Sequence, residues 1–456
     1  MKLKSILMAA LLGSAPAAFA QTFVQDSVAM GVGYANDVFY ALKTGGTTYQ
    51  QGNDWHLAFQ MTRFGEPNFN ASIRANHPRT GMSVFEIDRS APTTFNSITA
   101  ADTIGKTSPA RALFNNDTSW GTGAFYQNRS ITDPFDFGWG IYASSPTHAV
   151  NGTSSYLLKL ANGAAYKFWV KKYESYPTDS ISYTFQVAKL DGTGDRTVTI
   201  KRSSANMNFT DRLNAYYNID SDRVANREPM RQTWDLLFTQ YNDSTFAPPP
   251  APAGTKVLYT VTGVLANQSV QMVNTHLVNP DPAQHKSYTY STRINTIGYD
   301  WKTYVNPGPS GYFQLDSTAN FFIRTANYPN EYYQLRFTRF DGGGSAGQGK
   351  IVFEKRFLSS NLAVGKVSAA AVSNWFVTPN PATNSAFVMI DAKTATAGAV
   401  IMVTDMSGRV VMNTNVDIKE GLNSFEVKTA AWPDGMYAIR IAGASLNLNT
   451  RLVVTH

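Results

Sequence analysis

The sequence of 456 residues contains no cysteine. This absence excludes disulfide bonds, thiolate metal sites, a cysteine nucleophile and covalently attached haem of the Cys-x-x-Cys-His kind. It also excludes the lipid-acceptor cysteine by which bacterial lipoproteins are tethered. We therefore expect a chain that is neither cross-linked nor lipid-anchored through sulfur.

Long runs of one kind of residue are missing as well. No stretch approaches the roughly 18 apolar residues of a membrane-spanning helix, so we expect no membrane span. The formal net charge is +7, but no run of Lys or Arg is longer than two. Because nucleic-acid recognition needs a clustered basic face, we expect no nucleic acid among the partners.

Enzyme signatures are scarce. The chain has no His-Glu-x-x-His and no complete P-loop. The acids of Asp133-Pro134-Phe135-Asp136 and of Asp191-x-x-x-Asp195 lack the ligand spacing of an EF-hand, and turn roles explain them better. We expect a protein that is not an enzyme. A glycosidase pair of acids that lie far apart in sequence stays open as a third hypothesis.

Aromatic residues, in contrast, are abundant: 13% of the chain, with 23 Tyr and 27 Phe. Many stand in short runs between Gly, Pro, Asn and Asp, which is typical of β-strands. The stretches 55–59 and 234–238 both read Trp-polar-Leu-apolar-Phe. A strand would place Trp, Leu and Phe on one face, and the intervening His56 on the opposite, solvent face. The sequence therefore predicts an all-β fold.

The order of elements occurs twice. An aromatic run precedes each Trp stretch, at 38–42 and at 216–219, and residues 166–173 match residues 333–340 in pattern. This predicts a duplicated antiparallel unit of about 170 residues. We place the copies at 21–207 and 208–358, with each copy burying its own Trp/Leu/Phe ridge. The proline run at 248–252 reads as a loop within the second copy.

The N-terminus reads as a secretory signal peptide. Met1-Lys2-Leu3-Lys4 is a positive start, Ile6 to Leu12 is apolar, and Ala18-Phe19-Ala20 is a small-x-small cleavage site. We expect residues 1–20 to be removed by cleavage after Ala20. The alternative is an anchor helix, for which the apolar run is too short.

Residues 375–456 show short strand patterns with regular turn signals, which predict a small Ig-like β-sandwich. Pro379-Asn380-Pro381, Asp405-x-Ser-Gly-Arg-Val-Val, Gly435-x-Tyr437 and a terminal Arg-Leu-Val-Val strand follow in order. The segment resembles the type A C-terminal sorting domain of the Bacteroidetes type IX secretion system, and residues 359–374 read as its linker. The resemblance implies contact with that machinery, and a product released or attached to surface lipopolysaccharide. The alternative is an accessory Ig-like domain.

Residues 33–358 resemble a second family. The order Trp-x-Leu-x-Phe, then a Tyr-x-Leu-x-Phe strand, a Gly-containing turn and a strand with Val-Phe-Glu at 352–354 is similar to that of the HmuY family, as two copies or one elaborated domain. Members are all-β haem carriers outside the cell. The resemblance implies haem b as cofactor, haem or host haemoproteins as partners, and two axial His or Met ligands supplied by loops.

Candidate ligands follow from that requirement, because haem iron takes His or Met at its axial positions. His77 and His148 stand in loop-like segments and are the leading candidates. Met82, Met272 and His276 are weaker ones. The His residues of the two copies do not occupy matching positions. A surface-exposed, non-catalytic haem binder is thus one hypothesis, and a glycan- or protein-binding adhesion module, with aromatics that stack on sugars, is the other.

Overall fold

The structure, a computed structural model, describes residues 22–62, 70–143, 149–175, 181–246, 256–305, 311–325, 331–342, 347–360, 372–405, 409–443 and 446–456. The predicted signal peptide, His148 and the proline run at 248–252 lie outside these residues. The chain divides into two compact units, residues 1–360 and 361–456. Both consist of antiparallel strands, which confirms the all-β prediction. Among the described residues, no helix has the length and apolarity needed to cross a bilayer.

The first unit contains 22 strands in its described residues. Strands β1 to β11 are Val24–Ala29, Asn36–Tyr40, Thr47–Gln51, Leu57–Gln60, Ile73–Ala75, Ser83–Asp88, Gly140–Ala143, Ala149–Gly152, Ser155–Lys159, Ala165–Glu174 and Ser182–Lys189. Strands β12 to β22 are Arg196–Lys201, Asn214–Asn218, Arg223–Ala225, Leu236–Phe246, Lys256–Ala266, Gln271–Asn274, Lys302–Val305, Tyr312–Leu315, Asn320–Thr325, Glu331–Asp341 and Lys350–Ser360.

Helices in the described part of the chain are short, with six residues at most. The α-helical turns are α1, His77–Thr80, and α2, Ala91–Thr94, each with proline in its first turn, where the missing N–H costs no hydrogen bond. The 3-10 turns are Val32–Tyr34, Phe95–Ser97, Ala100–Thr103, Pro109–Arg111, Ala124–Tyr126, Arg231–Thr233 and Pro282–Ser287.

Two cores share the first unit. The first core gathers buried side chains from residues 57–219, among them Leu57, Phe59, Tyr156, Phe168 and Tyr217. The second core draws on residues 28–42 and on residues 236–353. Its members include Tyr40, Leu236, Phe238, Trp301 and Phe353. The N-terminal strands therefore complete a core that the second half of the unit mostly builds.

The sheets explain this division, because β2 of the first predicted copy and β13 of the second each join the sheet of the other copy. β2 pairs with β15 and places Tyr40 opposite Leu236, while β13 pairs with β4 and places Tyr217 opposite Leu57. β1 closes the sheet of β22, and β12 closes the sheet of β11. The expectation that each copy buries its own ridge is therefore corrected: each ridge packs against the aromatic strand of the other copy.

The same set of hydrogen bonds recurs at the two Trp stretches. The Asn76 side-chain amide donates to the carbonyls of Gly52 and Trp55, at 2.8 Å each. The Asn267 amide donates to the carbonyls of Arg231 and Trp234, at 2.7 and 2.9 Å. Asn76 directly follows β5, which pairs with β4, and Asn267 directly follows β16, which pairs with β15. The two Trp stretches thus share a contact as well as a sequence pattern.

The position between Trp and Leu carries a second matched contact. The Ile219 amide donates to Nδ1 of His56 at 3.1 Å, and the Leu42 amide donates to Oδ2 of Asp235 at 2.8 Å. His56 is only 6% exposed, so the prediction of a surface histidine is wrong. Burial lowers the pKa of His56, against the pull of Asp220, and burial raises the pKa of Asp235 to about 6. In both copies burial thus favours the neutral form of the side chain.

The predicted single face for Trp, Leu and Phe is also wrong, and in the same way in both copies. Leu57 and Phe59 enter the first core, but Trp55 packs beside Ala58 and Tyr216. Trp234 packs beside Phe39 and Leu237, away from the second core. The chain bends at His56 and Asp235, whose side chains hold backbone amides, and each bend turns the indole to the other face.

The long hairpins β10–β11 and β21–β22 carry a bulge at corresponding positions, between Val170 and Lys172 and between Phe337 and Arg339. The glycine-rich segment between β21 and β22 contains the spacings Gly-x-Gly-x-x-Gly and Gly-x-Ser-x-Gly and all but the last residue of a P-loop. Those motifs need a strand followed by a helix. Here the segment is followed by a strand, β22, which pairs antiparallel with β21.

The second unit contains, in its described residues, strands β23 to β29: Val372–Thr378, Ser385–Ala392, Thr396–Asp405, Val410–Ile418, Gly421–Lys428, Gly435–Gly443 and Leu446–Val454. They form a sheet ordered β23-β24-β27 and a sheet ordered β26-β25-β28-β29. One core, with Val388, Ile401, Ile439 and Leu452 among its members, lies between inward-facing side chains of both. Alternation of buried and more exposed residues along β24 and β28 produces this sandwich.

Candidate functional site

Two adjoining clefts in the first unit form an open concave surface. Their volumes are about 330 and 470 Å³, and they share Asp243 and Asn295. Together we call them the amide groove. Its polar lining includes Asn115, Asn116, Asp117, Thr118, Gln127, Asn242, Asp243, Asn274, His276, Ser291, Arg293, Asn295, Thr296, Tyr299 and Asp300.

Strand β15 supplies the centre of the groove. Its first half packs Leu236 and Phe238 into the second core, and its second half presents Asn242 and Asp243. Asn242 accepts a hydrogen bond from the Thr260 hydroxyl at 3.2 Å, and the Asn295 amide donates to Asp243 at 3.4 Å. The polar half of one long strand is thus positioned by the apolar half.

Residues 291–300 form the wall opposite β15. The Ile294 amide donates to the Thr118 carbonyl at 3.0 Å, and the Ala266 amide donates to the Ile294 carbonyl at 2.7 Å. Gly263 and Gly298 approach so closely that a Cβ on Gly263 would collide with the Gly298 carbonyl. This contact requires glycine at 263 and brings the wall against β16.

A buried ionic network underlies the groove where the copies meet. Arg74 pairs with Asp117, and its guanidinium also lies 5.0 Å from the Trp120 ring centroid. Burial raises the pKa of Asp117, and Arg74 opposes that shift. Asp37 on β2 pairs with Arg227 at 3.0 Å and accepts from the Thr239 hydroxyl at 2.7 Å. Because these partners lie far apart in sequence, the network fixes the groove only in the folded chain.

The open part of the groove is acidic. Partial desolvation, followed by the negative charge of Asp243, raises the pKa of Asp300. Burial and then the same charge raise the pKa of the Tyr299 hydroxyl. Asp243 and Asp300 thus outnumber the single arginine of this cleft, Arg293.

The candidate haem ligands of the first copy lie next to each other but face differently. His77 begins α1; its Nδ1 is 2.7 Å from the Met82 carbonyl, and its ring stands edge-on to Phe114. The Met82 side chain is fully buried in the first core. His148 lies outside the described residues, so its placement stays untested.

The candidates of the second copy also separate. Met272 is fully buried in the second core, whereas His276 is accessible in the amide groove. The described residues contain no group of three or more His, Asp or Glu side chains able to hold a metal ion. His77, Met82, Met272 and His276 do not converge on one apolar pocket. Haem binding therefore stays a prediction.

Sequence patterns do not reveal the groove residues, although one signal is present. The pattern predicts that a strand ends at Tyr241-Asn242-Asp243, yet β15 continues to Phe246. Asn and Asp are depleted in strands. Their position inside a long strand therefore indicates a functional role, but only once the strand is known to continue beyond them.

Comparison with known families identifies the class of the C-terminal unit. Residues 377–455 match the family described as the secretion system C-terminal sorting domain. The match confirms the predicted sorting domain and implies export by the type IX secretion machinery. The protein is accordingly a secreted protein of the outer cell surface. The resemblance of residues 33–358 to the HmuY family receives no support from a family match.

Solved structures give only remote likenesses. Dimeric latent PorU from Porphyromonas gingivalis matches at 7% identity and a TM-score of 0.17, over 94% of this chain and 34% of that one. A polysaccharide lyase matches at 12% identity and a TM-score of 0.14, over 69% of this chain and 46% of that one. The chain thus spans less than half of either protein. No curated protein matches the sequence.

Proposed function

We propose that this surface-exported protein is a non-catalytic binder of carbohydrate and that the amide groove is its binding site. The groove itself carries the proposal: it consists of two adjoining clefts with amide, carboxylate and hydroxyl side chains among their lining residues. A lining of this kind matches a ligand that is covered with hydroxyl groups.

The chemistry of the lining supports a sugar rather than an apolar ligand. Asn242 and Asn295 offer both donors and acceptors, Asp243 offers acceptors, and Arg293 offers donors. A sugar hydroxyl is both donor and acceptor and can bond to any of them. Tyr299, half-buried in the wall, adds an aromatic surface with a polar tip. Binding sites commonly combine a few convergent polar groups with such a surface.

The sorting domain supports the place of action. It implies contact with the type IX machinery, and attachment to surface lipopolysaccharide would leave the groove outside the cell. A groove exposed there meets soluble glycans or the glycans of neighbouring cells. The adhesion hypothesis and the groove therefore point to the same class of ligand.

A glycan array tests the proposal with the secreted full-length protein, followed by calorimetric titration of each hit. N295A removes the amide that holds Asp243 and contacts the ligand. We expect a fall in affinity of about tenfold, because an uncompensated polar group costs about 1–3 kcal/mol. N226A, at an exposed amide outside the groove, is the matched control. Absence of any glycan hit for the wild-type protein contradicts the proposal.

Haem binding is a second candidate, and one contact favours it. With Nδ1 of His77 at 2.7 Å from the Met82 carbonyl, the ring carries its proton on Nδ1 and leaves Nε2 as an acceptor. Histidines that bind metals usually have their second nitrogen fixed in this way. Haem b would then be held by His77 and a second ligand from the part of the chain that includes His148.

A haemin titration separates the two candidates. If the haem proposal holds, the full-length protein shifts the Soret band, and H77A and H148A each weaken the shift. A carbohydrate binder without haem gives no shift in the wild-type protein. If neither substitution changes an observed shift, both residues are removed as ligands.

A further inference from the structure

His276 has a backbone conformation that a histidine rarely adopts. Its φ is +53°, in the left-handed region, where the Cβ of an L-residue is crowded. It is also the one histidine among the described residues that lines the amide groove, and its side chain is accessible there. An unfavourable conformation that persists at a groove is an observation from which a functional role can be argued.

The surrounding loop fixes this conformation through Asn320. Asn320 is 2% exposed, and its side-chain amide donates to the carbonyls of Leu277, Val278 and Ser317 at 2.9–3.2 Å. Its backbone carbonyl accepts from both the amide and the hydroxyl of Thr275. These bonds hold the chain on both sides of His276, so the imidazole is presented at a fixed place.

Carboxylates of two neighbouring segments interact electrostatically with this imidazole. Partial desolvation and Asp243 raise the pKa of Asp300, and His276 lowers it in smaller part. The Thr318 hydroxyl and amide lower the pKa of Asp316, and His276 adds to that effect. Asp300 lines the same cleft as His276, and Asp316 precedes the turn whose Asn320 is bonded to residues 275–278. The imidazole can donate one hydrogen bond and accept another, whereas the acids only accept.

We infer that His276, presented by Asn320, contacts the ligand in the amide groove and that this end of the groove selects neutral over acidic sugars. The inference rests on the proposed carbohydrate function. Hydroxyls of a neutral sugar donate to Asp300 and exchange hydrogen bonds with His276. Uronate or sulfate groups meet the charges of Asp243 and Asp300, which outnumber the single arginine of this cleft, Arg293, and such like-charge contacts are a common source of selectivity.

Titration of the full-length protein with neutral and uronic-acid oligosaccharides of equal length provides the test. H276G removes the imidazole, while glycine accepts the left-handed conformation without crowding. We expect a fall in affinity of about tenfold or more for the neutral ligand, as for the loss of one polar contact, and a Tm no lower than that of the wild type. D222G is the matched control: Asp222 is also left-handed, at φ +49°, and lies outside the groove, so binding should not change.

We expect Asn320 to act only by positioning His276, and a double-mutant cycle tests this expectation. N320D keeps the shape of the side chain but removes its donors, so it should weaken binding on its own and add nothing in the H276G background. D300N should raise affinity for the uronic-acid ligand relative to the neutral one. If H276G binds the neutral ligand with wild-type affinity, the inference is overturned. The N295A variant then tests the proposed function of the groove separately. A wild-type protein that binds none of the oligosaccharides overturns both proposals.

Discussion

At the scale of single residues, two asparagines hold equivalent turns in the two copies. Asn76 and Asn267 are buried at 2% and 0% exposure, and each side-chain amide bridges the carbonyl of a Trp and that of the residue three positions before it. Two buried carbonyls depend on each amide. Loss of such a side chain leaves them without partners.

N76A and N267A should therefore destabilise the first unit by similar amounts, about 1–3 kcal/mol each. Urea unfolding of the full-length protein, followed by tryptophan fluorescence, measures the change. N70A, at the half-buried Asn70, is the control and should stay near the wild-type value. A large cost for one variant with none for the other would contradict the equivalence of the two turns.

Glu228 gives a second prediction at this scale. Burial raises its pKa to about 7, although the Leu213 amide and the Tyr216 hydroxyl both donate to it. The folded state thus binds this proton more tightly than the unfolded chain, so stability falls as pH rises from about 4.5 to about 7. Above that range the charged carboxylate stays buried and the loss is complete.

E228Q should remove this fall. The stability of the wild type relative to E228Q should decrease by about 1–3 kcal/mol between about pH 4.5 and about pH 8, because a folded pKa one pH unit above the unfolded pKa corresponds to about 1.4 kcal/mol. Denaturation of both proteins at several pH values measures the difference. E420Q, at an exposed position of the second unit, serves as control. A difference that is constant across this range would show that Glu228 is ionised at both ends.

At the scale of elements, close backbone contact positions the groove. β16 meets residues 291–300 through Gly263 and Gly298, and the Val264 amide donates to the Gly298 carbonyl at 2.9 Å. Tyr299 and Asp300 follow directly. The positions of Tyr299 and Asp300 therefore depend on β16, although Gly263, the residue of β16 at this contact, has no side chain that could reach a ligand.

G263A should displace this wall. The added Cβ has no space against the Gly298 carbonyl, so we expect a loss of stability of about 1–3 kcal/mol and weaker glycan binding. G46A is the control, because its Cβ would meet only the flexible Thr44 hydroxyl. Calorimetric melting and glycan titration measure the two effects. Unchanged binding in a folded G263A protein would show that the wall does not position the site.

At the scale of the whole molecule, the features described above are distributed over two units. Residues 1–360 carry the amide groove, and residues 377–455 match the sorting domain. The first unit has two large cores and the second unit has one, and no core contains residues of both. We therefore expect export and the proposed binding to be separable properties of one chain.

A chain that ends at residue 360 should be produced but not reach the outer surface. Because it retains the groove, its affinity for the glycan should equal that of the full-length protein. Protease accessibility on intact cells and fractionation of periplasm and medium measure the location. Surface display of the shortened chain would show that a signal outside the sorting domain directs export.

Local patterns along the chain are enough to establish the strand content, the repeated order of elements and the sorting domain, because alternating apolar residues and turn motifs act over a few positions. The aromatic runs at 38–42 and 216–219 do form strands that accompany the Trp stretches, as their pattern predicts. The sequence does not show which copy each aromatic run joins, because strand pairing across about 200 residues produces no local sequence pattern.

The same is true of Trp55 and Trp234, which leave the ridge because the bends beside them depend on amides contributed by the partner strand. The groove, too, forms only in the folded chain. Asp243, Asn295 and His276 become one surface only when strands and loops from distant parts of the chain are brought together.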